Sequence, residues 1–129
     1  MTRVLGVGLQ SRAESAALAA LLDAAREAAP DMLAILADKA DHPALQTVLQ
    51  AVQAAGLPVC LIARSRLNGV ATPTYSARVA ERFGTGSVAE ALALVAAGPE
   101  ARIVQPRAIS PCGTMTTALA DSLKGEKKE

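Results

Sequence analysis

At 129 residues the chain has room for one domain, and with 51% hydrophobic but only 2% aromatic side chains its core must be built from Ala, Leu and Val. A formal net charge of +1 gives no electrostatic case for bulk nucleic-acid binding, and without Trp, with one Tyr and one Phe, no platform exists for stacking bases. No segment approaches the ~18 apolar residues that span a bilayer. Two cysteines, Cys60 and Cys112, are too few for a disulfide framework or a metal cage. With no signal-peptide pattern at Met1-Thr2-Arg3-Val4 either, a cytoplasmic protein that contacts neither nucleic acid nor membrane is the expectation.

Arg3 to Gly8 reads as a buried strand. Ser11-x-x-Glu14 then forms a capping box for an Ala/Leu helix that stops at Pro30. Leu33 to Ala37 is a short apolar run bounded by turn signals, hence a strand. Asp41, His42 and Pro43 open a second helix that ends near Gly56, and Leu57 to Ala63 supplies a third strand. Arg64 to Thr74 carries Asn68-Gly69 and Pro73 and lacks a period, so it is a loop. A short helix over Tyr75 to Phe83 precedes the Gly84 turn. Ser87 and Glu90 then make a second capping box for a helix over Val88 to Ala97, closed by Gly98-Pro99. Arg102 to Pro106 and Thr114 to Ala120 are strand-like and pair as a closing hairpin. A domain over 1–121 is followed by a mixed-charge tail, 122–129.

Strands alternating with helices of about ten residues or more imply βαβ units, parallel pairing and helices on both faces. The fold class is therefore α/β, and the closing hairpin makes a mostly parallel sheet mixed. Ligands of such sheets sit beyond the carboxyl ends of the strands. Gly6 to Arg12, Asp38 to His42 and Arg64 to Asn68 all follow strands and converge on that rim.

Three loops at helix starts carry the chemistry, because free N–H groups and the helix dipole there favour anions. Gly6-Val7-Gly8 resembles the start of a dinucleotide fingerprint, with Asp38 in the place of a ribose-binding acid. Ser11 stands where the third glycine is needed, so a tight strand-to-helix turn outweighs a nucleotide site. Lys39 is either a solvated lysine or a point charge for a carboxylate, and Arg12 and Arg107 are read the same way. Glycines at 84 and 86 permit unusual φ values, which turns the N–H groups of Thr85, Ser87 and Val88 toward one anion. His42, the only histidine, has no ligands at metal spacing and is read as a surface residue at a helix start. Ser11, Ser15 and Ser87 have no second histidine with which to build a triad, and capping accounts for Ser11 and Ser87.

Taken together, these loops resemble the CobE proteins of cobalamin biosynthesis and the C-terminal domain of the CbiG proteins. The likeness runs from Gly6-Val7-Gly8 to Ala118-Leu119-Ala120. It is carried by Ala37-Asp38-Lys39-Ala40-Asp41-His42-Pro43-Ala44-Leu45, by Gly84-Thr85-Gly86-Ser87-Val88-Ala89-Glu90-Ala91, and by Pro106-Arg107-Ala108-Ile109-Ser110-Pro111. The resemblance implies a three-layer α/β/α sandwich and a role in building the corrin ring. Two-domain CbiG relatives open a lactone on a ring-contracted cobalt precorrin and release a two-carbon fragment. This chain resembles their C-terminal half alone, so that activity does not carry over, and stand-alone members are associated with the aerobic pathway. Leu9, Gln10 and Ser11 stand where relatives often carry a Cys and basic residues, and Gly86 replaces a frequent proline.

A corrin precursor is a flat macrocycle fringed by carboxylates, which calls for an apolar cleft rimmed by separate anion sites. The ligand-binding set expected is Gly6, Gly8, Ser11, Arg12, Asp38, Lys39, Thr85, Gly86, Ser87 and Arg107, with no cofactor, no metal and no assigned catalytic residue. The expected partners are a corrinoid or precorrin intermediate and other cobalamin-pathway enzymes. Two alternatives stand beside the carrier reading. One is a catalytic component of lactone opening or acyl cleavage, with Lys39 or His42 moving a proton; the other is a module that docks onto a pathway enzyme.

Overall fold

The computed structural model describes residues 2–9, 29–39, 41, 46, 49, 50, 53, 56–98, 100–109 and 115–122. The first expected helix lies almost wholly outside the described residues, as do Ser11, Arg12, His42, Cys112 and the charged tail. Ala29, described at its expected end, has a left-handed φ of 53°, the conformation in which helices commonly finish.

Five strands form one sheet: β1 (Thr2–Leu9), β2 (Met32–Leu36), β3 (Val59–Ile62), β4 (Ala101–Ile109) and β5 (Met115–Ser122). Their order is β3-β2-β1-β5-β4. β1 pairs in parallel with β2, and β2 with β3, whereas β5 runs antiparallel to both β1 and β4. Four of the five strands thus point the same way, and β5 alone reverses. The fold is the expected mixed α/β sheet, with the closing hairpin in place.

Alternation along the strands divides the core between two faces. One face carries Leu5, Val7, Leu33, Ile35, Met115 and Leu119, with the helical residue Leu49 packed against it. The other carries Val4, Ala34, Leu36 and Ile62 and is covered by Leu67 of a turn and by Ala91 and Leu92 of a helix. Layers on both sides of the sheet follow from this division.

Two helices are described in full: α1 (Ala77–Phe83), capped by the Ser76 side chain, and α2 (Val88–Ala97), capped by Ser87. α1 starts two residues later than the sequence pattern predicts, because Ser76 takes the cap and Tyr75 stays outside, exposed. Gly84 ends α1 in the left-handed region at φ 74°, its N–H returning to the Ala80 carbonyl. α2 lies against β1 at a glycine: a Cβ on Gly6 would overlap the Ala89 carbonyl oxygen and stand 2.8 Å from the Ala93 nitrogen. Small residues on both surfaces, Gly6 below and Ala89 and Ala93 above, allow this approach. The Ala-rich composition is used here.

β4 runs through Pro106, beyond the end expected for it. It is an edge strand, and its register with β5 shifts between Ile103 and Gln105 and again between Gln105 and Ala108. A proline without an N–H fits such a bulged edge, where no ladder bond is lost.

Candidate functional site

The parallel strands β1, β2 and β3 all finish at one rim, where β4 also ends and β5 begins. Leu9 lies opposite Met115, and Gly8 and Ile109 both lie opposite Thr116. The N-terminus of α2 reaches the same rim. A Cβ on Gly8 would meet the Thr116 hydroxyl at 2.6 Å, the Ala89 nitrogen at 3.6 Å and the Val88 Cβ at 3.7 Å. Gly8 therefore lies within β1, not in a turn after it, and forms a floor between the hairpin and the first turn of α2.

The Thr85-Gly86-Ser87 segment is buried and held from one side. Thr85 donates its hydroxyl to the Val70 carbonyl at 2.6 Å, and the Gly86 carbonyl accepts from Ser76 N–H at 2.9 Å. Glycine is needed at 86 for space and not for a positive φ, because a Cβ would lie 2.7 Å from both the Thr72 hydroxyl and the Thr74 carbonyl oxygen. Ser87 Oγ accepts from the Glu90 N–H at 3.4 Å. The first-turn N–H groups of Val88 and Ala89 have no intrahelical partner, which leaves positive dipole ends at the rim.

Glu90 does something the capping-box pattern does not foretell. Its carboxylate does not return to the start of its own helix. Oε1 accepts the Thr74 N–H at 2.9 Å, while Oε2 accepts the Thr74 hydroxyl at 2.7 Å and the Arg107 N–H at 2.8 Å. The side chain is fully buried, and it ties the 70–76 segment and the bulge of β4 to the start of α2. Half of the expected capping box, the Ser87 half, is present.

Asp38 and Lys39 occupy the short 3-10 turn Ala37–Lys39 directly after β2. Asp38 accepts from Arg64 Nε at 3.0 Å; Arg64 opens a second 3-10 turn, Arg64–Leu67, directly after β3. The two strand-end loops are thereby bridged by an ion pair whose side chains are about half exposed. The Lys39 backbone stands on this rim, and its side chain lies outside the described residues. Arg107 is brought close by its main-chain bond to Glu90.

Gly6, Gly8, Asp38, Thr85, Gly86, Ser87 and Arg107 are thus placed by the structure. Gly8, Ser87 and Asp38 stand along the rim; Gly6 lies beneath α2, further back in β1. Sequence reasoning placed the loop from Arg64 to Asn68 on this rim but singled out neither Arg64 nor Arg82 nor Phe83 as a site residue. The guanidinium carbons of Arg64 and Arg82 lie 4.6 and 5.5 Å from the centre of the Phe83 ring. The available signal was the position of Arg64 as the first residue after the third strand. The opposite end of the sheet is closed by a different pair, Arg3 Nε to the buried Asp121 at 3.0 Å.

Strand ends, a helix N-terminus and two cations beside one ring, gathered at one edge of a five-stranded mixed sheet, define a small α/β domain. The chain belongs to the family described as cobalamin synthesis G C-terminus, whose model matches residues 3–120, and it is a protein of the cobalamin biosynthetic pathway. Its fold is similar to the crystal structure of CobE, a protein from the cobalamin (vitamin B12) biosynthetic pathway. That similarity has a TM-score of 0.73 at 25% identity, over 92% of this chain and 89% of that one. It is also similar to the cobalamin biosynthesis protein chiG from Agrobacterium tumefaciens. There the TM-score is 0.68 at 35% identity, over 95% of this chain and 99% of that one. No curated protein matches the sequence. Among the described residues no helix is long and apolar enough to cross a membrane.

Proposed function

We propose that this chain binds a polycarboxylate corrinoid intermediate at the carboxyl rim of its sheet, as a carrier or accessory protein of the aerobic pathway in the cytoplasm. The observation that carries this reading is the meeting of the β1, β2 and β3 ends with the N-terminus of α2. An acid-fringed ring needs several separated positive stations around a flat apolar seat. The α2 dipole end, Arg64 beside Asp38, and Arg107 supply such stations. Arg12 and Lys39 remain part of the proposed set from their place in sequence after β1 and at the end of the β2 turn.

Binding without turnover is favoured by Glu90. Three donors occupy the two oxygens of this buried acid, so it is committed to holding loops together. Visible-absorption titration with hydrogenobyrinic acid tests the reading. A saturable spectral change at micromolar protein is expected, and an unperturbed spectrum contradicts it. Turnover of a precorrin by the isolated protein, lost in Lys39→Ala, would favour the catalytic alternative.

A further inference from the structure

Phe83, the only phenylalanine of the chain, gathers two cations from separate elements. Arg64 approaches from the turn after β3 and Arg82 from the last turn of α1, both within the distance at which a ring face attracts a guanidinium. One acid answers them. Asp38 engages Arg64 through Nε alone, which leaves the terminal NH2 groups of that guanidinium outside the bond. Among the described residues Arg82 makes no ion pair, and its side chain is exposed. Arg66 adds a further exposed cation from the same turn as Arg64.

Stability gives little reason for this arrangement, because half-exposed ion pairs contribute almost nothing to folding. Two like charges on one ring also repel unless an anion joins them. Stacking does, however, restrict both side chains before any ligand arrives, which lowers the entropy lost on binding. A planar guanidinium fork matches a carboxylate edge to edge in a way that a lysine cannot.

We propose that Arg64 and Arg82, stacked on Phe83, form a carboxylate-binding station at the β3 end of the rim that takes one acidic side chain of the ligand. The station rests on the corrinoid-binding reading above and names a part of that surface which the motif pattern does not mark. Asp38 holds Arg64 in place from the neighbouring strand end.

Isothermal titration with hydrogenobyrinic acid, at 50 and 300 mM NaCl, is run on the wild type, Arg82→Gln, Arg82→Lys, Arg64→Gln/Arg82→Gln and Arg102→Gln. Arg102 is exposed near the start of β4, at the opposite end of the sheet, and controls for lost charge alone. Arg82→Gln is expected to weaken binding roughly two- to fivefold at low salt, and the double variant about tenfold. The double variant also loses much of the wild type's salt dependence. Arg82→Lys falls between wild type and Arg82→Gln, and Arg102→Gln matches the wild type. If the wild type binds and the double variant stays within about twofold of it, the station is overturned while the corrinoid reading stands. If the wild type does not bind, both fail together. Unchanged circular-dichroism melting of the variants confirms that affinity, and not folding, is being read.

Discussion

The carboxylate of Glu90 accepts the backbone N–H of Arg107 at 2.8 Å, joining the first turn of α2 to a bulge of the edge strand β4. The same carboxylate takes two donors from Thr74, so one buried side chain fixes the positions of three segments around the proposed site.

Truncating Glu90 leaves the Thr74 N–H and hydroxyl and the Arg107 N–H without their acceptors. Glu90→Ala is expected to destabilise the protein by about 3 kcal/mol or more, and Glu90→Gln, which keeps one acceptor oxygen, by about half as much. Guanidinium unfolding monitored by circular dichroism measures both. A loss under about 1 kcal/mol for the alanine variant would show that the latch is not under strain of burial.

Gly6 is required by packing, and its replacement has no inexpensive outcome. A methyl group there meets the main chain of α2 at Ala89 and Ala93, which cannot rotate away as a side chain does. Gly6→Ala is expected to cost about 3 kcal/mol or more, through displacement of α2 from β1. Its unfolding midpoint, compared with that of the wild type, is the check; a wild-type midpoint would mean that the helix sits further from the sheet.

Arg107 separates structure from binding within one residue. Its contact with Glu90 is made by the main chain, so Arg107→Ala keeps that bond and removes the cation. Stability is expected to change by less than about 0.5 kcal/mol while affinity for hydrogenobyrinic acid falls roughly two- to fivefold. Paired melting and titration curves show whether the two effects divide in this way.

The sheet was readable because its strands are short apolar runs set between turn signals, and Arg3 to Gly8 and Leu33 to Ala37 fall within a residue or so of β1 and β2. β4 was harder to bound, because Pro106 interrupts a strand pattern that only an edge with bulges tolerates. The site was legible in part. Thr85-Gly86-Ser87 marked a constrained helix start, but the reason for Gly86 is its contact with Thr72 and Thr74, which periodicity does not encode. Ser87 and Glu90 spell a capping box whichever way the glutamate points. Its true partners lie sixteen and seventeen residues away in sequence, so only the folded chain reveals them. The stacking of Arg64 on Phe83 is non-local in the same sense.

The central claim is that the ligand sits on the rim where β1, β2 and β3 end beside α2, and amide chemical-shift mapping tests it most directly. With 15N-labelled protein and added hydrogenobyrinic acid, the largest shifts are predicted at Gly8, Ser87, Val88, Arg64 and Thr116. Shifts that cluster instead at Arg3, Arg102 and Asp121, at the far end of the strands, would contradict it.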